Sequence, residues 1–334
     1  MKAVMLRAPG APVEVAEIRR PEPGPGEVLL RMEACGVCHS DVFISERPKL
    51  PRAPLVLGHE GVGRIARLGA GVSEWRAGDR VGMSFLYRAC GRCEFCASGR
   101  ETCCPQQVQT GYTADGALAE YAVADAGFIA RIPDGLDPLQ AAPLCCAGLT
   151  AYKALHTAGL KQGEWVAIFG AGGLGHLAIQ QARRMGLRVA VVDVAPEKLE
   201  QARALGADMV INGAVHKPRE VLGSVGGAAA ALTLTGAPAA IEQAYQALKP
   251  NGILVLVGLS PEPFPLPVVK TVLQGLRIAG TLVGTRDDLR EVLRLGAAGC
   301  LRAHTEACRL EDVPEVIERM KEGKQLGRAV VQFD

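Results

Sequence analysis

The stretch Trp165-Val-Ala-Ile-Phe-Gly170-Ala-Gly172-Gly-Leu-Gly175 limits what this chain can fold into more than any other part of it. Five residues of strand-like apolar character run straight into a Gly-x-Gly-x-x-Gly turn. Beyond them Leu174, Leu177, Ala178, Ala182 and Met185 recur at the period of a helix with one apolar face. Strand, glycine turn and helix in that order open a βαβ unit whose helix N-terminus can receive a phosphate. Gly170 permits the tight turn, Gly172 lets the backbone approach a pyrophosphate, Gly175 lets the helix lie on the sheet, and Gly173 and Leu174 complete the cradle. Asp193 follows 18 residues after Gly175, at the end of the next predicted strand, where a carboxylate binds adenosine ribose hydroxyls and repels a 2′-phosphate. NAD is therefore expected over NADP. Asp193 is equally placed to cap a helix beginning near Pro196, and the two roles can coexist.

Strands alternating with helices continue from Trp165 to Phe169 through Arg188 to Val192, Met209 to Asn212, Ala229 to Leu234, Ile253 to Val257 and Ile278 to Val283. Six strands make a complete doubly wound parallel sheet. The first 150 residues read differently: they are rich in glycine and proline, with short β-branched runs such as Glu27 to Arg31, Gly61 to Ile65 and Arg80 to Met83. They predict an all-β, barrel-like unit. From Asp287 on, two short amphipathic helices and a last strand at Arg328 to Gln332 complete the pattern. At 334 residues two domains are expected. No repeat or low-complexity linker separates them, so a tight interface is predicted, with the active site in a cleft between the two.

A formal net charge of +2, from 37 basic and 35 acidic side chains, and the absence of like-charge runs exclude a dedicated nucleic-acid or polybasic membrane binder. The N-terminus meets a charge before any signal-peptide apolar core can form. The uncharged stretch Val221 to Ile241 is long enough to span a bilayer, but its four glycines, Pro238, Ser224 and two threonines read as a glycine loop followed by a buried strand. No transmembrane segment is predicted. The 11 cysteines are accordingly placed in a reducing cytoplasm, where metal or catalytic use outweighs a disulfide framework.

Four of them form the run Cys90-x2-Cys93-x2-Cys96-x7-Cys104, enough for a closed tetrahedral zinc site that stabilises a short loop and leaves no place for substrate. Cys103 stands beside Cys104, so spacing alone leaves the fourth ligand open. A second set is dispersed: Cys38 in Gly-Val-Cys-His-Ser-Asp41, His59 in Gly-His-Glu60, and one cysteine of Leu144-Cys-Cys-Ala-Gly148. Each alone reads as buried structure. Together, two thiolates and an imidazole supply three ligands and leave the open fourth position of a catalytic zinc.

These motifs, with Leu-Cys-Cys-Ala-Gly-Leu-Thr-Ala-Tyr-Lys-Ala-Leu155, Val255-Leu-Val-Gly258 and Leu326-Gly-Arg328, occur in an order and spacing that resembles the zinc-dependent medium-chain alcohol dehydrogenases over essentially the whole chain. The resemblance implies a GroES-like β-barrel catalytic domain from residues 1–147 and 286–334, and a Rossmann NAD-binding domain from residues 148–285, in the α/β class. It implies catalytic zinc ligands Cys38, His59 and Cys146, with Cys146 chosen over Cys145 because it directly precedes Ala-Gly-Leu-Thr. Glu60 is implied as a nearby carboxylate that visits the metal, and Asp41 as acceptor of a hydrogen bond from the far nitrogen of His59, with turn capping as its alternative role. Ser40 is implied to bond the substrate hydroxyl, His39 and Arg328 to meet the cofactor pyrophosphate, Lys198 the adenosine ribose, and Thr150 to pack behind the nicotinamide, with Val257 a further cofactor contact. Two zinc ions per chain, NAD(H) and a homotetramer follow from the same resemblance.

The implied reaction is reversible hydride transfer between a primary or secondary alcohol, or its aldehyde, and NAD. Within the same superfamily the alternative is a polyol or amino-alcohol dehydrogenase, against which Cys146 argues, since polyol enzymes usually carry a glutamate there. From another class comes a non-catalytic NADH-binding zinc-thiolate redox sensor, against which the open ligand set with Ser40 argues. One position departs from the family: the histidine that commonly relays the proton outward is Phe43 here, so release through the ribose hydroxyl to water, or by way of His39, is expected. Phe85 falls where relatives carry an aromatic that narrows the pocket, although a plain core aromatic fits as well. Cys35, Cys103, Cys145, Cys300 and Cys308 receive no role.

Overall fold

The computed structural model describes residues 1–260 and 262–333. The chain forms two compact units, Thr150–Leu282 and a second made from Met1–Leu149 with the segment from Val283 onward. The expected divisions at residues 147 and 286 lie within three residues of these. Leu149 packs so closely on Gly284 that a side chain there would overlap it, which ties both residues to the same unit.

In Thr150–Leu282 the six strands are all parallel, in the order Met209–Asn212, Arg188–Asp193, Trp165–Phe169, Ala228–Thr233, Leu248–Leu256, Arg277–Gly280. Period-two alternation decides which face each side chain serves. Val166 and Ile168 join Ala151, Ala154 and Leu155, from Leu149–Ala158, and Ala178, Ile179 and Ala182, from Gly175–Arg184, on one face. Ala167 and Phe169 join Ile241, Ala244 and Tyr245 of Pro238–Gln246 on the other. Helices on both faces explain why the strands read as continuous apolar runs. The strand order reverses beside Trp165–Phe169, so the glycine turn leaves the sheet at its topological switch point.

Two expectations are corrected here. The segment Val221 to Ile241 does not begin as a loop: Pro218–Gly223 is a short helix started by Pro218, whose ring presets φ for the first turn, and it runs out at Gly226 and Gly227, both at positive φ. Among the described residues no helix is long and apolar enough to cross a membrane. The last strand stops at Gly280 instead of reaching Val283, whose φ of 43° turns the chain away from the sheet direction.

The other unit is built on a mixed sheet ordered Ala130–Arg131, Arg80–Met83, Glu60–Leu68, Glu27–Gly36, Arg328–Gln332, Thr305–Cys308, with Tyr121–Asp125 also pairing with Glu27–Gly36. Arg328–Gln332 lies antiparallel to Glu27–Gly36, with Val331 opposite Cys35, so segments from both ends of the chain share one sheet. Lys2–Leu6, Val13–Glu17 and Leu55–Val56 form a smaller sheet. The unit is not purely β. Its helices His39–Ser45 and Pro138–Pro143 start at local signals that glycine and proline density hid: a capping box from Cys38 and Asp41, and Asp137 accepting the N–H groups of Leu139 and Gln140 ahead of Pro138. Thr305–Cys308 escapes sequence reading because its four residues show no apolar alternation.

Candidate active site and metal centres

The mixed-sheet unit holds a buried polar cluster. Glu27–Gly36 delivers Cys38 to the head of His39–Ser45, the turn at Gly58 (φ 92°) delivers His59 and Glu60, and a single π-helical turn, Leu144–Gly148, delivers Cys146. π-turns of this kind occur disproportionately at functional sites. One ligand atom from each of Cys38, His59, Glu60 and Cys146 lies within 4.8 Å of the others, and all four residues are buried. Gly36 makes room for Glu60, whose carboxylate fills the place of any side chain at that position.

Several partners differ from expectation. Asp41 does not hydrogen-bond His59: its Oδ1 stands 3.8 Å from Nδ1. Both carboxylate oxygens are taken by backbone donors instead, Oδ2 by the Cys38 N–H at 2.8 Å and Oδ1 by the Gly58 N–H at 3.0 Å. Asp41 thus clamps the two loops that carry the cluster, the capping role that had stood as its alternative. Arg328, expected on a pyrophosphate, is 3 % exposed, with Nη2 3.1 Å from Glu60 Oε1, as the counter-charge of a buried carboxylate. Ser40 Oγ lies 3.7 Å from Cys38 Sγ. Phe85 meets the His59 ring edge-on, centroids 5.3 Å apart, so it is a wall of the cluster and not a distant core aromatic.

Charge in this pocket is strongly redistributed. The hydrogen bond with Cys146, followed by Arg328 and His59, holds Cys38 well below the usual thiol range, while that same bond and burial push Cys146 well above it. Burial works against charge on His59, but the Cys38 thiolate, then Asp41 and Glu60, lift it to about 9. Burial lifts Glu60 to about 8 against the pull of Arg328. Both ring nitrogens of His59 and Oε2 of Glu60, the carboxylate oxygen that does not face Arg328, are buried without a hydrogen-bond partner. Such orphaned atoms are costly, and a divalent cation between the two thiols would take up one ring nitrogen of His59. The donor set fits zinc, with Cys38, His59 and Cys146 as the ligands able to hold it and Glu60 within reach.

A second cluster gathers Cys90, Cys93, Cys96 and Cys104 within the same 4.8 Å span. The short helix Glu94–Ala97 presents Cys96 Sγ 3.6 Å from Cys93 Sγ and 3.9 Å from Cys90 Sγ. Hydrogen bonds from the N–H groups of Arg92 and Cys93 pull the Cys90 thiol down to about 6. Cys104 is fully buried, whereas its neighbour Cys103 is exposed, which resolves the choice that spacing left open. Arg286 anchors this lobe by pairing with Glu101, with Nε 2.9 Å from Oε1, and by lying over the Phe128 ring.

In Thr150–Leu282 the glycine turn has the predicted shape. Gly170 stands at φ 100°, a side chain at Gly175 would overlap the Gly170 carbonyl, and the side-chain position of Gly172 faces open space. The Asp193 carboxylate accepts the Ala171 N–H at 2.7 Å and the Val194 and Ala195 N–H groups at 2.8 and 3.1 Å. It therefore ties the turn to the end of the second strand. Thr150 is buried, Lys198 half-buried, His39 exposed, and Val257 donates its N–H to Thr233 at 3.2 Å. Cys35 and Cys145 are buried away from solvent, Cys145 against Gly82, and none of the 11 cysteines is disulfide-bonded.

Residues 24–134 match the model of the alcohol dehydrogenase GroES-like domain and residues 173–298 that of the zinc-binding dehydrogenases. An alcohol dehydrogenase of Geobacillus stearothermophilus is 47 % identical over 336 residues, spanning 100 % of this chain and 99 % of its own. Among solved structures, the alcohol dehydrogenase of the archaeon Aeropyrum pernix superposes with a TM-score of 0.93 at 30 % identity over 100 % of both chains. An acetophenone reductase of Geotrichum candidum, solved in complex with NAD, gives 0.89 at 27 % identity over 99 % of this chain and 97 % of its own. The chain belongs to the zinc-dependent medium-chain alcohol dehydrogenase family.

Proposed function

We propose that this protein is an NAD(H)-dependent alcohol dehydrogenase that interconverts primary alcohols and aldehydes, with secondary alcohols as further substrates. The observation that carries the reading is the buried set Cys38, His59, Glu60 and Cys146, whose ligand atoms lie within 4.8 Å of one another, with the His59 ring nitrogens and Glu60 Oε2 making no hydrogen bond. Cys38, His59 and Cys146 would hold a zinc ion there, which would supply a Lewis acid able to lower the pKa of a hydroxyl by several units and, in reverse, to polarise a carbonyl. NAD supplies the hydride acceptor. Ser40, beside Cys38, would accept the proton of the substrate hydroxyl while giving up its own, which leaves through the nicotinamide ribose hydroxyl to water. Asp41 holds the Cys38 and Gly58 backbones in register, and Arg328 balances the charge of Glu60. Phe85 narrows the pocket beside His59, which favours small and medium chains. Cys90, Cys93, Cys96 and Cys104 would hold a second, structural zinc.

The glycine turn, Asp193, Lys198, Thr150, Val257 and His39 are assigned to the cofactor. The Asp193 charge favours NAD. Asp193→Asn, which keeps an acceptor oxygen but loses the charge, is expected to shift the ratio of kcat/KM for NAD over NADP by about tenfold toward NADP, or about 1.4 kcal/mol. Steady-state kinetics with both cofactors checks this, and an unmoved ratio assigns Asp193 to the loop alone.

Phe43 cannot relay a proton. Phe43→His is expected to change the pH dependence of turnover by restoring a titrating group on the exit path, and an identical profile would show that the departure carries no kinetic weight.

A homotetramer is proposed as well. Val268, Val269, Val272 and Leu273, on Val268–Gln274, and Ile278, on the edge strand Arg277–Gly280, are exposed apolar side chains suited to a partner copy across a two-fold axis. Eleven free thiols fit a cytoplasmic protein.

Zinc content together with NADH formation from a panel of primary, secondary and polyhydric alcohols, with NADP as control, tests the main reading. Two zinc ions per chain and NADH from primary alcohols are expected. No turnover of any alcohol overturns it, and polyol preference selects the alternative dehydrogenase.

A further inference from the structure

The helices Pro218–Gly223 and Val268–Gln274 and the start of the strand Leu248–Leu256 line an open cavity of about 450 Å3 that the alcohol chemistry does not use. It lies at the edge of the parallel sheet where Ala228–Thr233 and Leu248–Leu256 begin. The glycine turn leaves the other edge. Trp165–Phe169 runs parallel to Ala228–Thr233 with Phe169 opposite Thr233, so the length of a strand, about 16 Å, separates the two places. Uncommon backbone shapes build the cavity. Gly226 and Gly227 stand at φ 84° and 87° and Asn251 at φ 61°. The strand pairing jumps from Ala228 opposite Leu248 to Ala230 opposite Ile253, and the extra residues carry Lys249 out to the cavity. A side chain at Gly227 would meet the Lys249 backbone nitrogen at 3.0 Å, while the side-chain positions of Gly223 and Gly226 face open space.

Arg219, Lys249 and Lys270 face this space. Lys249 is committed, with Nζ 3.1 Å from Glu164 Oε1. Arg219 is exposed and makes no ion pair among the described residues, its neighbour Glu220 being taken by Lys217. Lys270 is half-buried, and its Nζ meets only neutral acceptors: the Tyr245 and Gln246 carbonyls at 3.2 Å and Gln246 Oε1 at 3.1 Å. The carbonyl bonds cap the end of Pro238–Gln246, a role that needs neither Arg219 nor Gln274. Burial, then the like charge of Arg219, hold the Lys270 ammonium below its usual range, and no carboxylate opposes them. Two uncompensated cations on one cavity repel each other, and a bound anion removes that cost. Gln274, one turn after Lys270 on the same helix face, adds Oε1, a buried acceptor without a partner.

We propose that this cavity is a second ligand site, separate from the cofactor turn, that binds a small hydroxylated phosphate monoester. A monoester carries about −1.5 to −2 charge at neutral pH, which matches Arg219 and Lys270 together, whereas a carboxylate matches only one of them. The planar fork of Arg219 suits two phosphate oxygens, and a ligand oxygen can replace the Gln246 side chain on Lys270. A dianionic phosphate only accepts hydrogen bonds, so the unpartnered Gln274 oxygen calls for a donor elsewhere on the ligand, and a hydroxyl supplies it. The volume falls within the range of about 300–1,000 Å3 typical of small-ligand sites and leaves room for a carrier beyond the phosphate.

The test titrates glycerol 3-phosphate into the full-length zinc-loaded protein by calorimetry, with saturating NADH present so that its own phosphates close the glycine turn to the probe. One saturable site per chain is expected. Arg219→Gln, a surface change that leaves Tm unaltered, is expected to weaken Kd by about tenfold or more, and Arg219→Lys to recover part of that loss. Inorganic phosphate is expected to bind about tenfold more weakly than glycerol 3-phosphate, and Gln274→Leu to bring the ester down to that level while leaving inorganic phosphate unchanged. Wild-type protein that shows no saturable binding overturns the inference, as does a Kd unmoved by Arg219→Gln. Equal affinity for inorganic phosphate overturns the choice of an ester. A raised KM for NADH in Arg219→Gln would place Arg219 on the cofactor and overturn the separate site.

Discussion

Cys38→Ser is expected to lower kcat for alcohol oxidation by about three orders of magnitude or more, while the protein still folds and binds NADH. The size follows from what is lost: Lewis-acid stabilisation of the reacting oxygen is worth several kcal/mol, and about 1.4 kcal/mol is a factor of ten in rate. Serine is too hard and too poorly ionised to replace a thiolate in that set. Cys38 is also the thiol held well below its usual range, and its charge helps lift His59 to about 9, so its loss changes the whole cluster. NADH fluorescence titration separates binding from chemistry. A variant that keeps one tenth of the wild-type kcat would remove Cys38 from the centre of the mechanism.

The second large effect concerns the peripheral lobe. Cys104→Ser is expected to release one of two zinc ions per chain and to lower Tm on the order of 10 °C, whereas Cys103→Ser leaves both unchanged. The two positions are adjacent in sequence but opposite in environment, one fully buried among Leu86, Ala89 and Phe128 and the other exposed. The lobe has little apolar content beyond that small cluster, so metal binding is the main source of its folding free energy. Metal analysis and thermal unfolding of the two variants side by side check this. Equal behaviour of both would mean that the exposed thiol can substitute as ligand.

What could be read from the residues divides by sequence distance. The glycine turn is a local device: strand, positive φ at Gly170, the close approach at Gly175 and the carboxylate of Asp193 all lie within one βαβ unit, and each has a residue type that announces it. The four-cysteine lobe is local in the same sense. The buried cluster needed three distant segments, and only the joint occurrence of their motifs pointed to it. Phe85 stood at a pocket-wall position, but the partners in the supporting contacts carried no signal. The pairing of Arg328 with Glu60 joins strands far apart in the chain, and the edge-on contact of Phe85 with His59 depends on how two strands turn. Asp41 shows the limit from the other side: a single carboxylate can serve a ring nitrogen or two backbone donors, and only the placement of Gly58 decides. Proline and glycine density was the misleading signal, since it described the loops of the first 150 residues and concealed the caps that start His39–Ser45 and Pro138–Pro143.

The shared sheet has a consequence for the order of synthesis. All six strands of the parallel sheet have been made once the ribosome has passed Gly280, so that unit can form early. The pocket around Glu60 is among the first parts translated, yet its counter-charge arrives with Arg328–Gln332. Until that strand emerges and pairs with Glu27–Gly36, the nascent N-terminal segment must hold two sets of metal-seeking thiols and an uncompensated carboxylate. During that interval the growing chain is most exposed to oxidation and to capture of the wrong metal, and the final strand ends it.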